Sequence, residues 1–237
     1  MKKTGFLLLA LFSFVLMGFD ESKMENRAPA EVEGFAEENY RSFILDIVSD
    51  SNAAAFNFTK GDQDLKLGRL IPENRLVIDK HLNITVEAPA HWVAPVYQSG
   101  ELKNAFDIYN PSKGKIAIAG ISYSGGFTRE IAYLEEEEFY LHSRPFEFDF
   151  AYSPSKNKVR PLGDSSIRQF EEIGLDPNGI TKTEFIAFVK QHLKNNYPDQ
   201  FNEEGVNRYP YILGGIALLI LILGFLLLRR QKRSMNG

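Results

Sequence analysis

Over residues 30–49 the apolar residues Val32, Phe35, Tyr40, Phe43, Ile44 and Ile47 recur mostly at steps of three and four. This stripe predicts a helix, which Asp50, Ser51 and Asn52 end. From residue 56 to 123 the period changes to two. Leu82, Ile84 and Val86 alternate with Asn83, Thr85 and Glu87, and runs at 93–97, 105–109 and 115–123 are rich in β-formers cut by Pro and Gly. They predict a small antiparallel sheet, with Pro95 placing its strand at an edge or at a strand start. A helix follows, capped by the Thr128 hydroxyl and running through Ile131 and Leu134 to about Leu141. Phe146, Phe148, Phe150 and Tyr152 then alternate with Glu147, Asp149 and Ala151, a strand with rings on one face and carboxylates on the other.

Two stretches share a phrase. Residues 106–118 and 148–162 each carry Pro-Ser-Lys-Gly/Asn-Lys between apolar arms. Pro111 and Pro154 preset φ at the first turn position, and Gly114 and Asn157 tolerate positive φ three places on, so both stretches predict hairpins. A common turn solution and a duplication are both consistent with one shared phrase. Two short helices close the region: one at 165–173, then, after the Asp176-Pro-Asn-Gly179 turn, one opened by a Thr181/Glu184 capping box, with Phe185, Phe188, Val189 and His192 on one stripe.

Two longer apolar segments bracket all of this. Residues 5–17 follow Lys2 and Lys3, the length and flank of a secretory signal. Residues 211–228 carry no charge, and their 18 positions span about 27 Å as a helix, near the hydrocarbon thickness. The tail Arg-Arg-Gln-Lys-Arg after them holds the C-terminus in the cytoplasm by the positive-inside rule. The expected order is a signal peptide (1–18), a flexible linker (19–29), an extracytoplasmic region (30–195), a stalk (196–209), a transmembrane helix (210–228) and a basic tail (229–237). The region 30–195 is one domain, or two small ones dividing near 125–145. Signal cleavage stays open between Gly18 and the Ala28-Pro29-Ala30 pattern. The fold class is α+β: an N-terminal helix on a mainly antiparallel sheet, a second hairpin and two short helices, then a single transmembrane helix.

Charge narrows the partners. Six of the 27 Lys and Arg lie in the two ends, leaving 21 against 31 acids between them, which argues against nucleic acid. The chain has no cysteine, excluding disulfides, zinc thiolates, a cysteine nucleophile and a lipobox anchor. An MKK leader, no cysteine and a basic tail read as a Gram-positive bacterial envelope protein. No L-P-x-T-G motif precedes the span, so retention as a membrane protein is expected rather than sorting to the wall.

No constellation commits the chain to catalysis. Ser122-Tyr-Ser124-Gly-Gly126 lies between a strand and a helix, as a nucleophile elbow does, but Ser122 stands where the strained turn needs glycine. Of His81, His91, His142 and His192, only His192 lies well downstream of it. The Asp176 turn puts Ala187 where a calcium loop needs its bidentate glutamate. Glu135 to Glu138 form an acidic run, of which Glu135 and Glu138 share a face if helical. No cofactor or metal site is expected. Trp92, beside His91 and near Tyr97, reads either as a buried strand aromatic or, with those two neighbours, as an exposed recognition patch.

Residues 67–123 resemble the PepSY-like and cystatin-like domains of exported bacterial proteins, through LGRLIPENRLVI, HWVAPVYQSGEL and FDIYNPSKGKIAIAG. The resemblance implies an α+β fold whose relatives mostly bind peptides, inhibit or chaperone proteases, or act as envelope modules, and it carries no functional residue across. The resulting expectation is a membrane-tethered, non-catalytic module that binds a protein or peptide outside the cell. A hydrolase and a structural component of a membrane complex are the competing classes.

Overall fold

The computed structural model describes residues 19–49, 53–110, 114–121 and 125–201. The leader, the tip of the first hairpin, Ser122 to Ser124, the expected span and the tail lie outside these. Among the described residues the chain is α+β, a ten-stranded mixed sheet with four α-helices. No helix among them is long and apolar enough to cross a membrane.

The predicted first helix is α1, Ala30–Ser49. Its buried Val32, Ala36, Ile44 and Val48 lie on Trp92, Ala94, Val96, Phe106 and Ile108, with Phe43 against Phe106 at 5.9 Å between ring centres. Strands β1 (Leu65–Leu67), β2 (Ile71–Ile78), β3 (Ile84–Glu87), β4 (His91–Gln98), β5 (Glu101–Tyr109) and β6 (Ala117–Ile121) follow. Then come α2 (Gly125–Ala132), β7 (Phe139–Ser143), β8 (Phe148–Ser153), β9 (Lys158–Pro161), α3 (Gly163–Glu172), β10 (Ile180–Thr181) and α4 (Lys182–Asn196).

The main path across the sheet is β10-β9-β8-β7-β2-β4-β5-β6, with β1 on β4 and β3 on β2. β2 pairs antiparallel with β4 and parallel with β7, the one parallel ladder among the described residues. On either side of β2 lies a three-stranded meander followed by a helix, β4-β5-β6-α2 and β7-β8-β9-α3. Because β4 and β7 run oppositely, the two units are placed as a half-turn about the sheet normal at β2 would place them. The repeated phrase marks the same hairpin in each. Gly114 has φ +94° and Asn157 φ +46°, as the turn chemistry requires.

Five expectations are corrected. Residues 19–29 are packed instead of flexible: Phe19, Met24 and Ala28 are buried, and the Phe19 ring meets Tyr152 edge-on at 5.2 Å. Asn74, fully buried on β2, holds this segment by accepting from the Glu25 amide at 2.8 Å and donating to the Glu25 carbonyl at 2.8 Å. The helix expected over 128–141 ends at Ala132, because Phe139, Tyr140 and Leu141 are drawn into β7 between β2 and β8. Thr128 is inside α2 and not its cap, and Glu135 to Glu138 occupy the turn before β7, so they share no helix face. Pro95 lies in an interior strand, at the point where β2 has left β4 and β1 has not begun. Its carbonyl accepts there from the Gly68 amide at 2.7 Å.

α3 and α4 match the two closing helices, and the Thr181/Glu184 capping box forms as expected. Phe148, Phe150 and Tyr152 turn together into the second core, where Phe170 and Phe185 meet Phe148 and Phe150.

Candidate functional site

Two regions carry more than packing. The first is the sheet edge at β6, whose sequence Ala-Ile-Ala-Gly-Ile holds no charge and no proline, the two usual means of blunting an edge. β5 pairs with one side of β6, and no described strand pairs with the other. The remaining edges are shorter. β10 has two residues and leads straight into α4, β1 has three with Lys66 at its centre, and β3 has four ending on Glu87. A bulge at Ala119, where Asp107 pairs with Gly120 and Ile108 with Ile118, bends the far end of β6. Ahead of the bulge the open edge of β6 is Ala117 and Ile118, and it continues toward the hairpin tip through Ile116 and the one cation Lys115, so 115–118 is the stretch on which a partner strand would lie.

Beside that stretch runs a depression of about 460 Å³, lined by Glu31, Gly34, Phe35 and Glu38 of α1 and by Gly114, Lys115 and Ile116 ahead of β6. Gly34 bares the helix surface here: a Cβ on it would meet nothing within 4 Å. Phe35 and Ile116, both half-buried against the core, form an apolar floor. A strand edge flanked by a helix, with an apolar floor and charged rims, is the layout in which extended peptides add to a sheet.

The second region is a row of charge across the sheet. Glu87 of β3 stands opposite Arg75 of β2, Arg75 opposite His142 of β7, and His142 opposite Asp149 of β8. His142 Nδ1 lies 2.9 Å from Asp149 Oδ1, which also accepts from the Tyr140 hydroxyl at 2.8 Å, while Arg75 Nε donates to Glu73 at 2.7 Å. The other meander repeats the theme more loosely, with His91 Nδ1 3.9 Å from Asp107. Asp107 and Asp149 each follow the phenylalanine that opens one of the two stretches, 106–118 and 148–162. The Asp149 hydrogen bond raises the His142 pKa above its ordinary 6.5. Burial, reinforced by Arg75, His142 and Arg144 against the pull of Glu73, lowers that of His91.

The three residues of the expected recognition patch separate. Trp92 is 3% exposed and faces α1 in the core, the first of its two readings. His91 is half-buried beside Tyr109, with 5.8 Å between rings, and Tyr97 lies at the other end of β4. Ser122 and Ser124 lie outside the described residues. His192 packs tilted against Phe146 and Phe188, with 5.1 and 5.4 Å between ring centres. The Asp176 turn is an Asx turn, with the Asn178 amide donating to Asp176 at 2.8 Å. Among the described residues no three His, Asp or Glu side chains converge as metal ligands. The β6 groove was not found by sequence reasoning. Its signals were an uncharged five-residue strand and a helix segment bearing acids and no cation.

Comparison of the chain with protein-family models, with curated proteins and with solved structures finds no match.

Proposed function

We propose that this protein is a non-catalytic binding module of a bacterial, Gram-positive-type cell envelope, which takes an extended protein or peptide segment as an added strand along β6. The membrane tether is the uncharged stretch 210–228, with the basic tail in the cytoplasm and the folded region outside. The observation that carries the binding reading is the β6 edge itself: uncharged, free of proline and set beside the α1 groove. Main-chain hydrogen bonds supply affinity in this mode and side-chain pockets supply selectivity. The resemblance of residues 67–123 to PepSY-like and cystatin-like domains, whose members mostly bind peptides, supports the same class.

The test is photo-crosslinking in cells from Lys115, at the edge, and from Lys156, at the matching tip of the second hairpin. The expected result is an envelope protein captured through one extended segment from Lys115 and not from Lys156. Equal capture from both, or none from Lys115, contradicts the proposal.

A further inference from the structure

We infer that the segment bound along β6 is basic, an extended peptide whose Lys or Arg side chains lie over Glu31 and Glu38. This rests on β6 being the binding edge and adds the chemistry of what binds there.

Glu31 and Glu38 both line the groove and are exposed. Seven residues apart on α1, they lie on nearly one face, about 10.5 Å apart along the axis. Gly34 falls between them, one turn from each, so two carboxylates flank a patch of bare helix backbone. Neither has an ion-pair partner among the described residues. Glu33 and Glu37 are exposed on the same segment, and no Lys or Arg occurs from Ala30 to Tyr40. The helix dipole accounts for Glu31 and Glu33 in the first turn. It falls off within that turn and gives no reason for Glu37 and Glu38.

A strand added to 115–118 lies about 4.8 Å outside β6, with alternate side chains on the helix side recurring about every 6.8 Å. Long cationic stems at alternate positions can bracket both carboxylates while their methylenes cover Phe35 and Ile116. Among the described residues Lys115 is the one cation of the lining, against the two carboxylates of Glu31 and Glu38. Edge-to-edge pairing with a second copy would bring two like-charged helix segments together, which disfavours self-association as the occupant.

The experiment uses the full chain in nanodiscs and short fluorescent peptides of alternating Thr and Val, carrying three Lys, three Glu or neither. Anisotropy is read at low and high salt, for the natural chain and for E31Q/E38Q, whose folding is checked by thermal melting. The Lys peptide is expected to bind at least about tenfold more tightly than the neutral one at low salt, to lose that advantage at high salt, and to lose it in E31Q/E38Q. Equal binding of the Lys and neutral peptides overturns the basic preference and leaves the β6 edge standing. Binding of no peptide, with concentration-dependent dimers in its place, overturns both.

Discussion

His142 and Asp149 face each other directly across β7 and β8, with Nδ1 and Oδ1 2.9 Å apart, and Arg75 stands on the other side of the same histidine. The imidazolium is stabilised by the carboxylate in the folded state, so folding raises its pKa. The stability this supplies is present in full below pH 6.5 and is lost as pH rises through the raised folded value. His91 acts in the opposite sense. Its lowered pKa favours the neutral ring, so its contribution is present above pH 6.5 and is lost as pH falls through the depressed value. His142→Gln should therefore destabilise more at pH 5.5 than at pH 8.5, by about 1 kcal/mol or less because the pair is partly exposed. His91→Gln should be least damaging at the acid end. Thermal melts of both variants across this range check the two signs.

Arg160 should be among the most sensitive polar positions. It donates to Glu130 at 2.6 Å and to Glu138 at 3.0 Å, tying α2 and the turn before β7 to β9. The Glu138 side chain is only 7% exposed, so Arg160→Ala leaves a buried carboxylate without its cation. The expected loss is about 3 kcal/mol, and the double variant with Glu138→Gln should recover part of it. Urea unfolding of the single and double variants measures both.

The N-terminal segment gives a truncation test. Removing residues 1–18 leaves Phe19 on Tyr152, and leaves Glu21 bonded to both the Tyr152 hydroxyl and Lys182. Removing residues 1–30 exposes the second core and leaves Asn74 without its two Glu25 bonds. The longer truncation should be less stable than the shorter by about 3 kcal/mol or more. If the leader is cleaved in cells, the mature chain should then begin near Phe19 and not after Ala30, which N-terminal sequencing would show.

Gly163 joins β9 to α3 at φ +78°, and a Cβ there would lie 3.0 Å from the Phe127 backbone. Gly163→Ala therefore meets both a left-handed backbone and α2, and should cost about 2 kcal/mol. Gly34→Ala, on the open helix face, should slightly stabilise the fold while narrowing the groove. Melting curves separate the two.

Much of this fold is legible in local pattern. The α1 stripe, the alternation of Phe148, Phe150 and Tyr152, the Pro154 turn and the Thr181 capping box each report a short-range constraint, and each of these elements forms. The partition around β2 was not legible. Its residues Ile-Pro-Glu-Asn-Arg-Leu-Val-Ile do not alternate, because the strand exchanges β4 for β3 and β7 part-way along and buries both faces. The helix over 128–141 was overextended for a related reason. A run of glutamates favours helix locally, but the β-formers after it gain more by pairing with two strands. The groove was invisible for a third reason: Glu31 and Lys115 are far apart in sequence and come to line one depression only through the fold.

The central claim is that β6 acquires a partner strand. The most direct test is amide hydrogen exchange of residues 115–118 in the full chain in nanodiscs, with and without the protein segment captured from Lys115. Added main-chain bonds should slow exchange there by at least about tenfold and leave the amides of β3 and β10 unchanged. Unchanged exchange at 115–118 with the segment bound would place binding elsewhere and contradict the account.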